Sequence, residues 1–235
     1  MDDTPLLRKE ARILAHLAEQ RRATQHFRPD PVPESVIETA LAIAAQAPSG
    51  YNLQPWRFLV LTEQGQREAL RRAAFDQQKI TEAPLVIVAF GEREGWKQHV
   101  DAIFRTTAAR RGVGVDASEK MKTGALSFIF HFDPAVWLNR HVMIAFTYLM
   151  LSFESQGWDT APMEGFDPEA VKHTFELPAD AEVVALLAVG RAQAENAHPG
   201  RLTVDHIAFR ERYGEPLLTD AHYGPKSIDV IPVTH

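Results

Sequence analysis

The sequence predicts an α+β fold, one domain with helices on both faces of a sheet. Three observations carry this expectation. Two runs, "APLVIVAF" (83–90) and "EVVALLAVG" (182–190), are apolar almost throughout, as strands covered on both faces are. Longer segments carry apolar residues at helical spacing, most clearly "FDPAVWLNRHVMIAFTYLMLSFESQGW" (132–158). Strands and helices alternate, but without a clean repeating βαβ rhythm.

The elements follow in order. Residues 5–22 read as a helix ending at Arg21-Arg22. "RPDPVPES" is a proline-rich turn into a helix over 33–47, where Val36, Ile37, Ala40, Leu41, Ile43, Ala44 and Ala47 keep amphipathic spacing. "RFLVLT" (57–62) alternates as a strand does, and a short helix over 66–75 leads to the strand at 83–90. Residues 94–132 read as mixed helix and loop. Asp133 suits an N-cap, Pro134 a first turn and Gly157 a helix end. The helix between them is apolar nearly all round, which suits a core or a subunit interface. Asp167-Pro168 repeats the capped start, and Thr203 opens a last short helix ending near Gly214. The tail "SIDVIPV" (227–233) is strand-like but isolated, as if to pair away from its own domain.

Composition narrows the function. The chain of 235 residues is 45% hydrophobic and 24% charged, ordinary for a soluble globular protein. A net charge of −6 argues against general nucleic-acid or anionic-membrane partners. Cys is absent, which excludes disulfides, thiolate nucleophiles and Cys-ligated metals. The start lacks an apolar signal core, and "HVMIAFTYLMLSF" is too short and too polar to span a bilayer, so a cytoplasmic protein is expected.

Several motifs carry little. "RGVGVDA" (111–117) has the spacing of a dinucleotide fingerprint, but a helix-like segment precedes it where a strand is required, so it reads as a turn. No HExxH occurs; His131, Asp133 and His141 could meet around a metal, though each has a simpler role. No GxSxG elbow is present. Phe128, Phe130 and Phe132 could stack on an aromatic molecule, but core packing is the simpler reading. "APSGYNLQPW" (47–56) is different: a serine, two amides, two prolines and a tryptophan exceed what a helix-to-strand connection needs.

Taken in order, "RRATQHF", "APSGYNLQPWRFLVL", "FDQQKITEAPLVIV", the long helix, "GWDTAPMEGFDP" and "EVVALLAVG" resemble the FMN-dependent nitroreductase family. The resemblance implies an α/β sandwich with a central mixed sheet, one domain over 1–235 with a core of about 16–214. It also implies a homodimer embraced by a C-terminal tail, 215–235, whose strand crosses to the partner. Two chains would build two FMN sites at their interface. Pro48, Ser49 and Asn52 match positions that contact the flavin of the other subunit, where short polar groups replace lost water. Arg21 and Arg22, helped by Arg201, match the phosphate ligands; Met163, Glu164 and Gly165 match the loop whose backbone donates at N5; Lys79 matches a cation near N1. Ala23, Gln25 and Asp76 match further flavin positions, but many members carry Ser, a cation and Asn there. With Pro199 where some have another cation, the site is less positive than in those relatives.

The implied reaction is ping-pong: NADH or NADPH reduces FMN, and a small electron-poor acceptor (a nitroaromatic, quinone or flavin) is reduced in turn. No side chain need act as a nucleophile, and no metal is required. A reductive dehalogenase-like or flavin-fragmenting enzyme is one alternative; a flavin-binding carrier or sensor without turnover is another.

Overall fold

One twelve-residue strand, β5 (Ala181–Ala192), organises the sheet. On one side it pairs along its length with β3 (Leu85–Glu92), which in turn pairs with β2 (Trp56–Leu61). On its other side it takes β4 (Asp159–Met163) and, at its C-terminal end, the two-residue β1 (Phe27–Arg28). All these pairs are antiparallel; the parallel component of the expected mixed sheet is the isolated bridge between Ala23 and Thr160. This computed structural model describes residues 8–194 and 196–217. Ala23–Ala194 forms one compact unit, and the described residues on either side of it, 8–22 and 196–217, belong to another. The predicted strand at 227–233 lies outside the described residues, as does most of the predicted tail.

Alternation along the strands builds two cores. Leu85, Ile87 and Ala89 of β3 face α2 (Glu34–Ala44) and α7 (Pro134–Ser155). Val86 and Val88 face the opposite layer, α3 (Gln64–Ala73), α4 (Lys79–Glu82) and α8 (Pro168–Thr174). Both faces are dry, which is why the run reads apolar throughout. A bulge breaks the period once. Ala185 opposes Ala89 and Val183 opposes Phe90, so Val184 is extra and joins Ala185 on the α7 side.

Residues 94–132, read only as mixed helix and loop, form a short 3₁₀ turn (Gly95–His99) and two helices, α5 (Val100–Arg110) and α6 (Val115–Ile129). They carry their own apolar cluster around Trp96, Phe104, Ile129 and Trp137. Asp133 caps α7 by accepting from Val136 N–H at 3.0 Å, and Gly157, at φ +77°, ends the chain's turn out of it. Val142, Ala145, Phe146, Leu149 and Phe153 bury one side of α7, whereas Val136, Ile144 and Tyr148 stay exposed.

Two expectations differ from what is observed. The helix begun at Thr203 is one turn, α9 (Val204–Ile207), after which Leu217 N–H returns to Ala208 C=O at 2.9 Å. This piece and α1 (Lys9–Gln20) belong to the second unit. Strand β4 was not expected, because Asp and Pro are poor strand formers; Pro162 is tolerated on a strand that ladders with β5 alone. The fully buried Leu187 at the centre of β5 provides a test. Leu187→Ala should cost about 2–5 kcal/mol in urea unfolding, against less than about 0.5 kcal/mol for Val115→Ala on the exposed start of α6. Equal effects would contradict the assigned burial.

Candidate functional site

Most of the predicted ring-binding residues gather at the β4 edge of the sheet. Thr24 N–H donates to Thr160 C=O at 3.0 Å, which lays residues 23–25 along β4. Gln25 reaches back to Ala23 C=O at 3.4 Å, and its Oε1 accepts from Lys79 Nζ at 3.4 Å. Lys79 is half-buried at the start of α4. After β4, Glu164 and Gly165 are exposed, while the Met163 side chain is buried in the α3–α8 core; only the Met163 backbone faces the edge.

The α3–α4 connection holds that loop. Gln77 Nε2 donates to Gly165 C=O at 2.6 Å and Ala74 C=O at 3.2 Å, and Asp167 N–H donates to Ala73 C=O at 2.9 Å. Phe75 and Asp76 are both left-handed, at φ 51° and 57°, a conformation that side chains adopt only where the surroundings impose it. Asp76 does not present a bare charge: Arg71 Nε donates to its carboxylate at 2.7 Å. Neither the Gln77 contact nor the Arg71 contact was expected. The first signals nothing until the α3–α4 and β4–α8 connections are known to touch.

The loop after α2 is built separately. Tyr51, Asn52 and Gln54 have φ of 53°, 60° and 47°, three non-glycine residues in the left-handed region within four positions. Ser49 Oγ accepts from Gln54 N–H at 3.0 Å, Gln54 Nε2 donates to Asn52 C=O at 3.0 Å, and Gly50 N–H donates to His141 Nε2 at 3.0 Å. Pro55 and Trp56 anchor the exit in the core, while Pro48, Tyr51 and Asn52 remain exposed. The excess of polar and rigid residues thus has a local account. They fix a strained loop whose outer face is open.

The sheet keeps the two sets apart. One row of the ladder runs Met163–Leu186–Val88–Leu59, so β4 and β2 lie three strand spacings apart. Trp56, where the loop enters β2, lies three residues further along. At about 4.8 Å per spacing and 3.4 Å per residue, Met163 and Trp56 are separated by on the order of 17 Å. The β4 end that leads to Gly165 and the β2 start that follows Asn52 thus lie on opposite edges of the sheet.

Arg21, Arg22 and Arg201 belong to the second unit. There, burial and then the positive charges of Arg201, Arg22 and Arg21 hold His198 below its ordinary pKa, against the opposing charge of Glu19. Arg22 Nη1 donates to Gln20 C=O at 2.6 Å, yet its Nε is buried without a partner. An unsatisfied buried donor on a guanidinium fits an anion such as a phosphate.

The other candidates resolve simply. Gly112, at φ +64°, and Gly114, the N-cap of α6, make the turn between α5 and α6, so the first half of "RGVGVDA" is a turn and the rest opens α6. His131 bonds Ser127 C=O, Asp133 caps α7, and among the described residues no cluster could hold a metal ion. The phenylalanines depart from the core reading: Phe128 and Phe130 are exposed, and only Phe132 packs against the α5–α6 cluster. Phe128 meets Tyr51 of the loop edge-on, with ring centroids 6.3 Å apart.

An antiparallel sheet between two helical layers, with an open polar loop at one edge and a cation at the other, defines a class of protein that comparison identifies. The nitroreductase family model matches residues 18–191, and the chain belongs to that family. It is 34% identical over 190 residues to a protein named NADH dehydrogenase from Thermus thermophilus, covering 81% of this chain and 92% of that one. It is 24% identical over 179 residues to iodotyrosine deiodinase of Thermotoga neapolitana (76% and 88% covered). Among solved structures, ydfN of Bacillus subtilis, described as a nitroreductase, superposes with a TM-score of 0.80 at 25% identity, over 85% of this chain and 99% of that one. A protein from Exiguobacterium sibiricum, described as a nitroreductase in complex with FMN, gives 0.73 at 23% identity (83% and 96% covered).

The tether from Gln77 is testable on the protein alone. Gln77→Ala should raise amide hydrogen exchange at residues 165–167 several-fold while leaving β3 and β5 unchanged. Unchanged exchange would mean that the α3–α4 connection does not hold the loop.

Proposed function

We propose that this nitroreductase-family oxidoreductase is an FMN-dependent NAD(P)H oxidoreductase working as a homodimer. The observation that carries the reading is the buried, unpartnered Nε of Arg22, next in sequence to Arg21, which suits the FMN phosphate. When bound, FMN would take hydride from NADH or NADPH and later pass reducing equivalents to a nitroaromatic, quinone or flavin acceptor. Arg21, Arg22 and Arg201 would neutralise the phosphate. The Lys79 ammonium would hold negative charge at the pyrimidine end, and the Glu164–Gly165 backbone would face N5. Pro48, Ser49 and Asn52 would come from the partner subunit's loop.

Two features support the dimer. The two residue sets lie on opposite edges of the sheet, and Val136, Ile144 and Tyr148 on α7 and Ile43 on α2 are exposed apolar side chains that a partner would cover. Among the described residues no helix is long and apolar enough to cross a membrane, consistent with a cytoplasmic enzyme. The carrier or sensor alternative loses support, because Arg71 neutralises Asp76. Reductive dehalogenation remains the second reading, favoured by the deiodinase relative. Turnover of an iodinated or brominated phenol with NAD(P)H, in the absence of nitroaromatic reduction, would decide for it.

The purified protein should be yellow and release FMN on denaturation; a colourless protein that fails to bind added FMN would overturn the proposal. Arg22→Ala should weaken FMN binding roughly ten- to hundredfold, one charged hydrogen bond being worth about 1.5–3 kcal/mol. Lys79→Met should retain FMN but lower its two-electron potential by roughly 30–60 mV, since about 30 mV corresponds to 1.4 kcal/mol. Potentiometric titration of both proteins reads this. Equal potentials would remove Lys79 from the ring.

A further inference from the structure

His141 sits on α7, outside every residue so far given a part in binding, and both its ring nitrogens are committed. Gly50 N–H can only donate, so Nε2, 3.0 Å away, must be the bare acceptor. Trp137 C=O can only accept, so Nδ1, at 2.7 Å, must carry the proton. The contacts therefore admit one form, the neutral imidazole with hydrogen on Nδ1.

The ring is also locked in place. It lies against the Trp137 indole with centroids 4.4 Å apart, and Trp137 in turn meets Trp96 at 5.2 Å. A Cβ on Gly50 would fall 3.3 Å from Nε2, so glycine lets the backbone come this close. Ser49, one residue before this bond, and Asn52, two after it, are two of the three loop residues expected at the flavin, with Pro48. Charged groups on the surrounding elements have other partners or point away. Arg140 on α7 is exposed; Arg57 at the start of β2 donates to Trp56 C=O and pairs with Glu92; Lys97, beside Trp96, pairs with Glu94. Within residues 48–54 the one titratable side chain is the exposed Tyr51.

We infer that His141 is a positioning residue for the flavin loop, holding Gly50 only as the neutral Nδ1–H imidazole, and that its protonation releases the loop. A proton added at Nε2 would face the Gly50 N–H, turning an acceptor into a second donor. The clamped loop is therefore favoured at high pH and lost as pH falls. Three left-handed residues would relax once the clamp opens. The consequence for flavin affinity rests on the FMN reading above; the clamp itself does not.

The test has two arms. In the flavin-free protein, nitrogen-15 spectra of the His141 ring and the Gly50 amide are followed from about pH 8 to about pH 5, the span in which histidines change charge. The expected result is the Nδ1–H tautomer at high pH, with the Gly50 amide shifting along the same titration. An Nε2–H tautomer, or a Gly50 amide indifferent to that titration, would overturn the inference whether or not FMN binds. In the second arm, FMN affinity is compared between wild type and His141→Gln, whose amide can accept from Gly50 and donate to Trp137 at any pH. FMN's phosphate itself gains a proton near about pH 6, so the readout is the ratio of the two proteins. Wild type should lose roughly two- to tenfold more affinity than His141→Gln on acidification. A constant ratio would overturn the link to the flavin loop.

Discussion

The antiparallel ladder of β5 is the constraint on which the rest depends. Its twelve residues pair with β3 over Ala181–Val189 on one side and with β4 and β1 over Leu186–Ala192 on the other. That arrangement places the Glu164–Gly165 loop and Lys79 at one edge and hands β2, with the loop before it, to the opposite edge. The distance between the edges follows from strand spacing and cannot be closed by side chains. In the proposed dimer the two edges come from two chains, and the exposed side of α7 supplies a surface on which they could meet.

Both loops are stiffened by unfavourable backbone conformations held by specific hydrogen bonds. At one edge, Phe75 and Asp76 are held while Gln77 and Arg71 bind on either side of the turn. At the other, Tyr51, Asn52 and Gln54 are held by Ser49 and His141. Such residues cost roughly 1–3 kcal/mol each. The buried packing of the two cores offsets this, and the outcome is two loops that keep their shape while exposing polar groups. A pre-shaped loop orders little on binding, which favours affinity.

The sequence made the apolar architecture legible. The runs at 83–90 and 182–190, and the Asp-Pro helix starts at 133 and 167, appear where alternation and capping place them. What stayed hidden depends on tertiary pairing. Strand β4 has Asp159 and Pro162 and becomes a strand only because β5 offers it a ladder. The helices α5 and α6 lack a strong apolar stripe, since they cover a small cluster of their own rather than the sheet. At the site, residue types at motif spacing pointed to the loop and the cations, but not to the contacts that Gln77, Arg71 and His141 make. Their partners lie 88, 5 and 91 positions away, and only the second could have been guessed from local sequence.

The central claim, that one functional site requires two chains, can be tested most directly by complementation. One variant would carry Arg21→Ala and Arg22→Ala; the other would carry Ser49→Ala and Asn52→Ala. Each alone should bind FMN weakly. Hybrid dimers purified with two different tags contain one site with an intact arginine pair from one chain and an intact loop from the other. Isothermal titration of the hybrid should show one FMN bound per dimer at wild-type affinity. Hybrids that bind no better than either parent would contradict the account, because both sets of residues would then have to serve the same chain.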